Sequence, residues 1–387
     1  MYFVGIDVGK STHEALILDQ QGDQYGETLS IPNSRTGITS FSERLAGLEA
    51  PVKIALESSG QYWLCLYDQL TAHGYDVRVL NPLQINAYRQ TGIRKTKTDT
   101  LDAFWIADLL RIHRARPNQV PTALRMQLRE LSRFRFNLVD RIGDLKRKVL
   151  AVLDRVFPEY ERLFSSVFLK SSQRLLREAV SAHEFAAFDL SELTEILRTA
   201  SRGHFKEAKA QEIIAQAQTS IGVTCLADAA RLEMRCLIEQ IQFLEDQIAQ
   251  LDAQLEQLLA QADQYLTTIP GLGPVLAATI LGEIGDVHRF PALEQLVAYA
   301  GIDPTVHESG QFGATQMHMS KRGSPYLRRA LWLGANVARQ HDPELQAYYR
   351  KKKREGKHHN TVIGALCRKL LARIYVILRE ERPYVIR

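Results

Sequence analysis

The sequence predicts an α/β domain over residues 1–120 followed by an all-α remainder: a coiled-coil helical middle over 121–264 and a helical C-terminal domain over 265–387. Three observations predict it. Before residue 120, short β-branched runs alternate with helical patterns, as in a mixed sheet flanked by helices. Two long seams of apolar residues at four-three spacing then lie on either side of residues 157–229, and such spacing marks a coiled-coil face. Beyond 265, helical stretches punctuated by Gly and Pro carry clustered basic residues. With 387 residues, 45% of them hydrophobic, the chain buries a sizeable core and has the length of two or three domains. Its 49 Lys plus Arg against 44 Asp plus Glu leave only +5, so any polyanion footprint rests on local clusters rather than bulk charge. Cys65, Cys225, Cys236 and Cys367 form no close pair, which argues against a zinc knuckle or a disulfide framework and fits a reducing compartment. A strand pattern starts at Tyr2 with no signal peptide ahead of it, and no apolar run reaches membrane-spanning length. The expectation is a cytoplasmic protein with no membrane partner.

The elements follow in order. Tyr2–Asp7 and Glu14–Asp19 read as strands joined through Gly9-Lys10-Ser11, and a third strand spans Glu27–Ile31. An amphipathic helix over Ile38–Leu48 leads to a buried strand, Val52–Glu57, closed by Ser58-Ser59-Gly60. A helix over Tyr62–Ala72 precedes a fifth strand, Asp76–Leu80, stopped by Asn81-Pro82. After the basic loop Thr91-Gly92-Ile93-Arg94 and Lys95-Thr96-Lys97-Thr98 comes a helix that begins with Asp99 and Asp102. Residues three apart share a helix face, so these two carboxylates point together at a cation; an acidic first turn favoured by the helix dipole is the plainer reading.

Carboxylates upstream favour the first reading. Asp7 ends strand one and Glu57 ends strand four, and function in such sheets gathers at strand ends. Oxygen ligands with no His or Cys beside them suit Mg²⁺ or Mn²⁺, and converging carboxylates can hold such ions for in-line phosphoryl transfer. This is the pattern of an RNase H-like nuclease core. Gly5-Ile6-Asp7-Val8-Gly9-Lys10-Ser11 is no phosphate-binding P-loop, because only three residues separate its glycines where four are needed. An actin-like or sugar-kinase ATPase also opens on a strand and an Asp-x-Gly turn, but it leaves Asp99 and Asp102 unexplained.

The first seam runs from Leu124 to Val152 and is broken only at Arg135; the second runs from Met234 to Ala262 without a break. They can pair as a hairpin within one chain or between chains as a dimerisation arm. Residues 157–229 between them read as helical, with a break at Ser201-Arg202-Gly203-His204, and carry no metal or nucleophile motif. Ile269-Pro270-Gly271-Leu272-Gly273 opening an Ala-rich helix is the signature of a helix-hairpin-helix, whose backbone N–H groups, at Gly271 and Gly273, suit a phosphate. A tight interhelical turn is the alternative. His307-Glu308-Ser309-Gly310 lies in a polar loop before Ser320-Lys321-Arg322-Gly323 and Arg328-Arg329. Arg94, Lys95 and Lys97 with Lys321, Arg322, Arg328 and Arg329 are the candidate nucleic-acid-binding cations. Lys351-Lys352-Lys353-Arg354 with Lys357 form a further basic group.

Together these motifs resemble the DEDD transposases of the IS110 insertion-sequence family, relatives of Piv-type DNA invertases and bridge-RNA-guided recombinases. Gly5-Ile6-Asp7, Leu56-Glu57-Ser58-Ser59-Gly60, Asn81-Pro82 and Lys97 through Ala103 match the family's RuvC-like half. Ile269 through Gly273, Ala300-Gly301-Ile302-Asp303-Pro304, Glu308-Ser309-Gly310 and Ser320 through Leu331 match its transposase half. The central segment is longer than in compact members. The resemblance implies a catalytic and metal-binding tetrad of Asp7, Glu57, Asp99 and Asp102 and a nucleophile at Ser309. It also implies DNA as donor and target, a structured guide RNA, and a homodimer or tetramer in which one subunit's metals meet another's serine. His307 is a candidate base for Ser309, although a solvated loop histidine is the plainer reading. Rival functions are a RuvC-like structure-specific nuclease that uses water instead of serine, and a non-catalytic nucleic-acid-binding scaffold.

Overall fold

The computed structural model describes residues 1–58, 60–90, 98–115, 117–304, 308–309, 312–313 and 319–386. The chain divides into two compact units, Met1–Val120 and Pro121–Arg387.

The first unit is built on a five-stranded sheet, ordered β3-β2-β1-β4-β5, of β1 (Tyr2–Asp7), β2 (Thr12–Leu18), β3 (Leu29–Pro32), β4 (Val52–Glu57) and β5 (Asp76–Leu80). β1, β2 and β3 pair antiparallel, and β4 and β5 continue the sheet parallel to β1. The mixed sheet is the one the sequence predicts. Its two faces read as alternate residues of each strand. Val4, Ile6, Ile17, Ile54 and Leu56 pack under α1 (Arg35–Ala46) and α2 (Trp63–Ala72). Phe3, Ala55 and Leu80 pack under α4 (Asp99–Arg111). α4 crosses β1 so closely that a Cβ at Gly5 would stand 2.1 Å from the Ala103 carbonyl oxygen, so this position admits glycine alone. One element differs from the expectation: a short helix, α3 (Pro82–Arg89), follows β5 where the sequence suggested only a stop. Asn81 caps it and Pro82 takes its first position, so the Asn-Pro pair starts a helix rather than ending a strand.

Among the described residues the second unit is helical apart from one short hairpin. α5 (Ala123–Val156) and α10 (Ala227–Leu259) pair within the chain. The pairing is antiparallel, since Arg135 meets Asp252 and Arg155 meets Glu233. Arg135, the break in the first seam, is thereby satisfied. Between them α6 (Lys170–Glu178), α7 (Ala182–Ala186), α8 (Leu190–Ala200) and α9 (Glu207–Gln218) enclose a separate core around Phe157, Tyr160 and Phe185. The expected break at residues 201–204 separates α8 from α9. A second core joins α11 (Pro274–Ile284), α12 (Leu293–Ala300), α13 (Pro325–His341), α14 (Pro343–Arg354) and α15 (His359–Glu380) to the ends of α5 and α10. Among the described residues no helix is long and apolar enough to cross a membrane.

Candidate active site

In the first unit the carboxylates converge through register. Ile6 of β1 pairs with Leu56 of β4, so Asp7 and Glu57 are the next residues out at the same sheet end. Gly5 faces α4 and Ala55 packs with Ile106 of α4. Asp7 and Glu57, each two residues further along, face the same way, and both are half-buried. Asp102 comes to this face from the first turn of α4, a helix capped by Thr98, whose hydroxyl accepts from Leu101 N. Asp102 is 8% exposed, while Asp99, one turn earlier, is exposed. Glu57 and Asp102 line one cleft of about 300 Å³ with Pro82, Asn86 and Arg89 of the α3 segment.

Arg89 is the residue the sequence reading missed. Its Nη1 donates to Asp102 Oδ1 at 2.9 Å and its Nη2 to Asn86 Oδ1 at 3.1 Å. Nothing in the sequence pairs Arg89 with Asp102 unless α3 is foreseen. A second buried carboxylate on α4, Asp108, takes Arg111 and the Tyr88 hydroxyl, the latter at 2.6 Å. Burial first, and then this bond, push the Tyr88 phenol up to about 12. Glu14 of β2 is the register partner of Asp7 on β1.

The donor set fits a hard divalent ion, being oxygen alone. The ligand shell is not closed: among the described residues no three His, Cys, Asp or Glu side chains group closely enough to hold a metal. Asp102 is held by a guanidinium instead. The residues that would hold an ion are Asp7, Glu57 and Asp102, with Asp99 at the rim.

In the second unit Glu308–Ser309 and Phe312–Gly313 form a two-stranded hairpin, Ser309 opposite Phe312. The base of its loop is fixed on several sides. Pro304 bridges Met319, and the Ser320 hydroxyl donates to Asp303. Lys321 takes left-handed backbone, φ +53°, with its N–H on the Gly301 carbonyl. A Cβ at Gly323 would stand 1.8 Å from the Tyr299 carbonyl oxygen. Beneath lies Glu283, with a fully buried side chain that accepts from Arg133 Nε at 2.6 Å, Arg133 Nη2 at 3.0 Å and the Ser324 hydroxyl at 2.7 Å.

The expected nucleic-acid-binding residues divide. Lys321 and Arg322 are exposed. Arg328 bonds the Ala300 carbonyl and Arg329 pairs with Asp140 over the Phe136 ring, so both are engaged in holding α13. Gly271, at φ +95°, backs onto Ala338 of α13, where a Cβ would meet Ala338 N at 2.5 Å, whereas Gly273 is open at the start of α11. Arg94, Lys95, Lys97 and His307 lie outside the described residues, as does the side chain of Ser309.

Two family models match the chain, one described as "Transposase", for the DEDD domain of IS110 elements, over residues 4–158, and one described as "Transposase IS116/IS110/IS902 family" over residues 263–350. Together they take in more than half of the sequence. The chain belongs to the IS116/IS110/IS902 transposase family. Members of the family catalyse DNA strand cleavage and rejoining, and the transposase is an enzyme of that kind acting on DNA. Similar over nearly its whole length is the insertion element IS116 44.8 kDa protein of Streptomyces clavuligerus, 27% identical over 99% of this chain and 96% of that one. So are the mini-circle putative transposase for IS117 of Streptomyces coelicolor, 26% identical over 99% and 95%, and the pilin gene-inverting protein of Moraxella bovis, 26% identical over 99% and 97%. Among solved structures, T. thermophilus RuvC in complex with Holliday junction substrate covers 30% of the transposase and 99% of its own chain at 13% identity. Its TM-score of 0.23 is too low to argue from.

Proposed function

We propose that this transposase cuts DNA by attack of Ser309 on a backbone phosphorus, with the carboxylate face of an RNase H-like domain assisting. The observation that carries the reading is the placement of Asp7 and Glu57 at one sheet end, with Asp102 on the first turn of α4 over the same face. A divalent ion, Mg²⁺ or Mn²⁺, bound there would supply positive charge to the non-bridging phosphate oxygens as the phosphorus becomes five-coordinate. Asp7 and Glu57 sit on adjacent strands and are fixed by sheet register, so they need little reorganisation to act as ligands. Ser309 Oγ forms the new bond to phosphorus, the bond from phosphorus to a sugar oxygen breaks, and the hydroxyl proton passes to that leaving oxygen by way of solvent. Rejoining reverses the exchange, with a sugar hydroxyl of another strand displacing the serine. Lys321 and Arg322, exposed at the loop base, hold the phosphates on either side.

The resemblance supports three additions. Donor and target are selected by base pairing to a structured guide RNA, as where a protein reads shape and leaves sequence to pairing. A homodimer or tetramer, formed along the coiled-coil arm of α5 and α10, lets the carboxylates of one subunit serve the serine of another. The helix-hairpin-helix around Gly273 adds a backbone contact.

Stopping the reaction midway with Mg²⁺ present should trap a protein–DNA adduct that survives denaturing electrophoresis and maps to Ser309 by mass spectrometry. Ser309→Ala should lose the adduct and strand exchange but keep DNA binding, and Asp102→Asn should lose the adduct as well. Strand exchange by the alanine variant, or an adduct at another residue, overturns the serine reading in favour of a water-using nuclease. Sequencing RNA that co-purifies with the protein tests the guide; recovery of no discrete RNA species overturns it.

A further inference from the structure

The turn between α14 and α15 carries a basic tract that neither the candidate site nor the fold accounts for. From 350 to 357 the chain reads Arg350-Lys351-Lys352-Lys353-Arg354-Glu355-Gly356-Lys357, six cations against one carboxylate. Glu355 neutralises Lys352 at 2.7 Å. Among the described residues, Arg350, Lys351, Lys353, Arg354 and Lys357 make no ion pair, and all five are exposed. Elsewhere in this unit Arg133, Arg135, Arg155, Arg329 and Arg373 each have a carboxylate partner.

The plain explanation for cations at the end of a helix is the macrodipole, and it covers Lys351 to Arg354 in the last turn of α14. It fails for Lys357. That residue stands immediately before His358, the N-cap of α15, where the dipole disfavours a cation and the first N–H groups call for an anion. No acidic residue occupies the first turn of α15, and its N-cap is a neutral acceptor, His358 Nδ1, which takes Asn360 N at 3.2 Å. Five exposed cations without an ion-pair partner at one turn make a binding surface for a polyanion.

Its position says which polyanion. α15 runs from this turn along the base of the Ser309 loop: a Cβ at Gly364 would stand 2.7 Å from Met319 Cε, and Arg368 Nη1 donates to the Ile302 carbonyl at 3.2 Å. At about 1.5 Å of rise per residue, Lys357 lies roughly 10 Å along the helix axis from Gly364. A duplex rises about 3.4 Å per base pair, so one seated at the loop base has the tract within reach about three base pairs away along that axis. We infer that the α14–α15 turn, through Lys351, Arg354 and Lys357, grips the phosphate backbone of duplex DNA flanking the Ser309 loop. The choice of DNA rests on the Ser309 reading above; the anion-binding surface itself does not.

The test is the salt dependence of binding to a short DNA duplex, read by fluorescence anisotropy in EDTA on a Ser309→Ala background, so that no cleavage intervenes. Every phosphate that a substitution leaves without its cation lowers the slope of log K against log salt by about 0.9. The variant Lys351→Gln/Arg354→Gln/Lys357→Gln should therefore lose about two to three units of slope. Lys351→Arg/Lys357→Arg should retain it, and Arg141→Gln/Lys148→Gln/Arg235→Gln, an equal removal of charge from exposed helix faces, should lose less than about one. An unchanged slope in the triple variant, or an equal fall in the charge-matched control, overturns the inference. A loss confined to structured RNA of the same length overturns the assignment to DNA. Because adduct formation by the Ser309 protein is scored separately, an adduct with an unchanged slope rejects the tract alone, and an altered slope without an adduct rejects the serine alone.

Discussion

Removing the Glu283 carboxylate offers the sharpest check on how the second unit is held together. The group is fully buried, and it answers two Arg133 nitrogens and the Ser324 hydroxyl at once. Ser324 also caps α13 through Leu327 N at 3.1 Å, so one carboxylate ties α5, α11 and α13 to the loop base. Breaking a buried ion pair by deleting one partner costs about 3–5 kcal/mol, because the other charge is left without compensation. Here the stranded partner is not wholly enclosed: the Arg133 side chain keeps 36% of its surface exposed and lies over the Tyr326 ring. Water takes up part of its charge, which lowers the expected loss for Glu283→Ala to about 2–3 kcal/mol. For a unit of this size that is a Tm lower by about 4–12 °C. Guanidinium unfolding should show a lower midpoint at an unchanged m-value. Glu283→Leu combined with Arg133→Met should recover much of the loss, since a well-packed apolar pair replaces a buried ionic one at little net cost. A Glu283→Ala loss below about 0.5 kcal/mol would refute the reasoning.

Two other outcomes follow from the same kind of contact. Arg89→Met should tighten Mn²⁺ binding, measured by calorimetry on the DNA-free protein, by at least about tenfold, because a cation a few ångströms from the ligands no longer opposes the ion; unchanged affinity would show that Arg89 does not compete for Asp102. Asp342, 1% exposed, is pushed up by burial, but bonds from Tyr384, Leu345 N and Arg373 outweigh this and leave it below its ordinary value of 3.8. Its contribution to stability is therefore present above about pH 4 and lost as pH falls through the lower folded value, so the stability gap between wild type and Asp342→Asn should hold constant at about pH 5–7 and shrink below about pH 4.

What was legible in the sequence was what local pattern dictates. Strands β1, β2, β4 and β5 alternate or run apolar between turn residues, and Asp7 and Glu57 could be placed at strand ends because a strand's end is a local fact. The long helices were equally plain from their seams. Their pairing was not, since a heptad reads the same for parallel and antiparallel partners; it took Arg135 finding Asp252 to fix the direction. Arg89 escaped because its partner depends on α3, and Asn81-Pro82 reads as a stop as readily as a start. Glu283 escaped because Arg133 is 150 residues away, and no sequence pattern links residues so far apart.

The basic residues show the same division with a functional consequence. By sequence, Arg328 and Arg329 look as suited to a phosphate as Lys321 and Arg322, since all four fall in one stretch rich in Gly and hydroxyl side chains. In the fold the later pair lies half-buried on α13, committed to the Ala300 carbonyl and to Asp140, while the earlier pair stands exposed where the loop ends. A cation already paired gains less from a phosphate, because it must give up one anion to take another, and a bare one gives up only water. The available charge around the Ser309 hairpin is thus concentrated at its base, where left-handed Lys321 and the Gly323 contact with Tyr299 allow the chain little freedom. Rigid charge at the foot of a loop positions a backbone for whatever the loop carries.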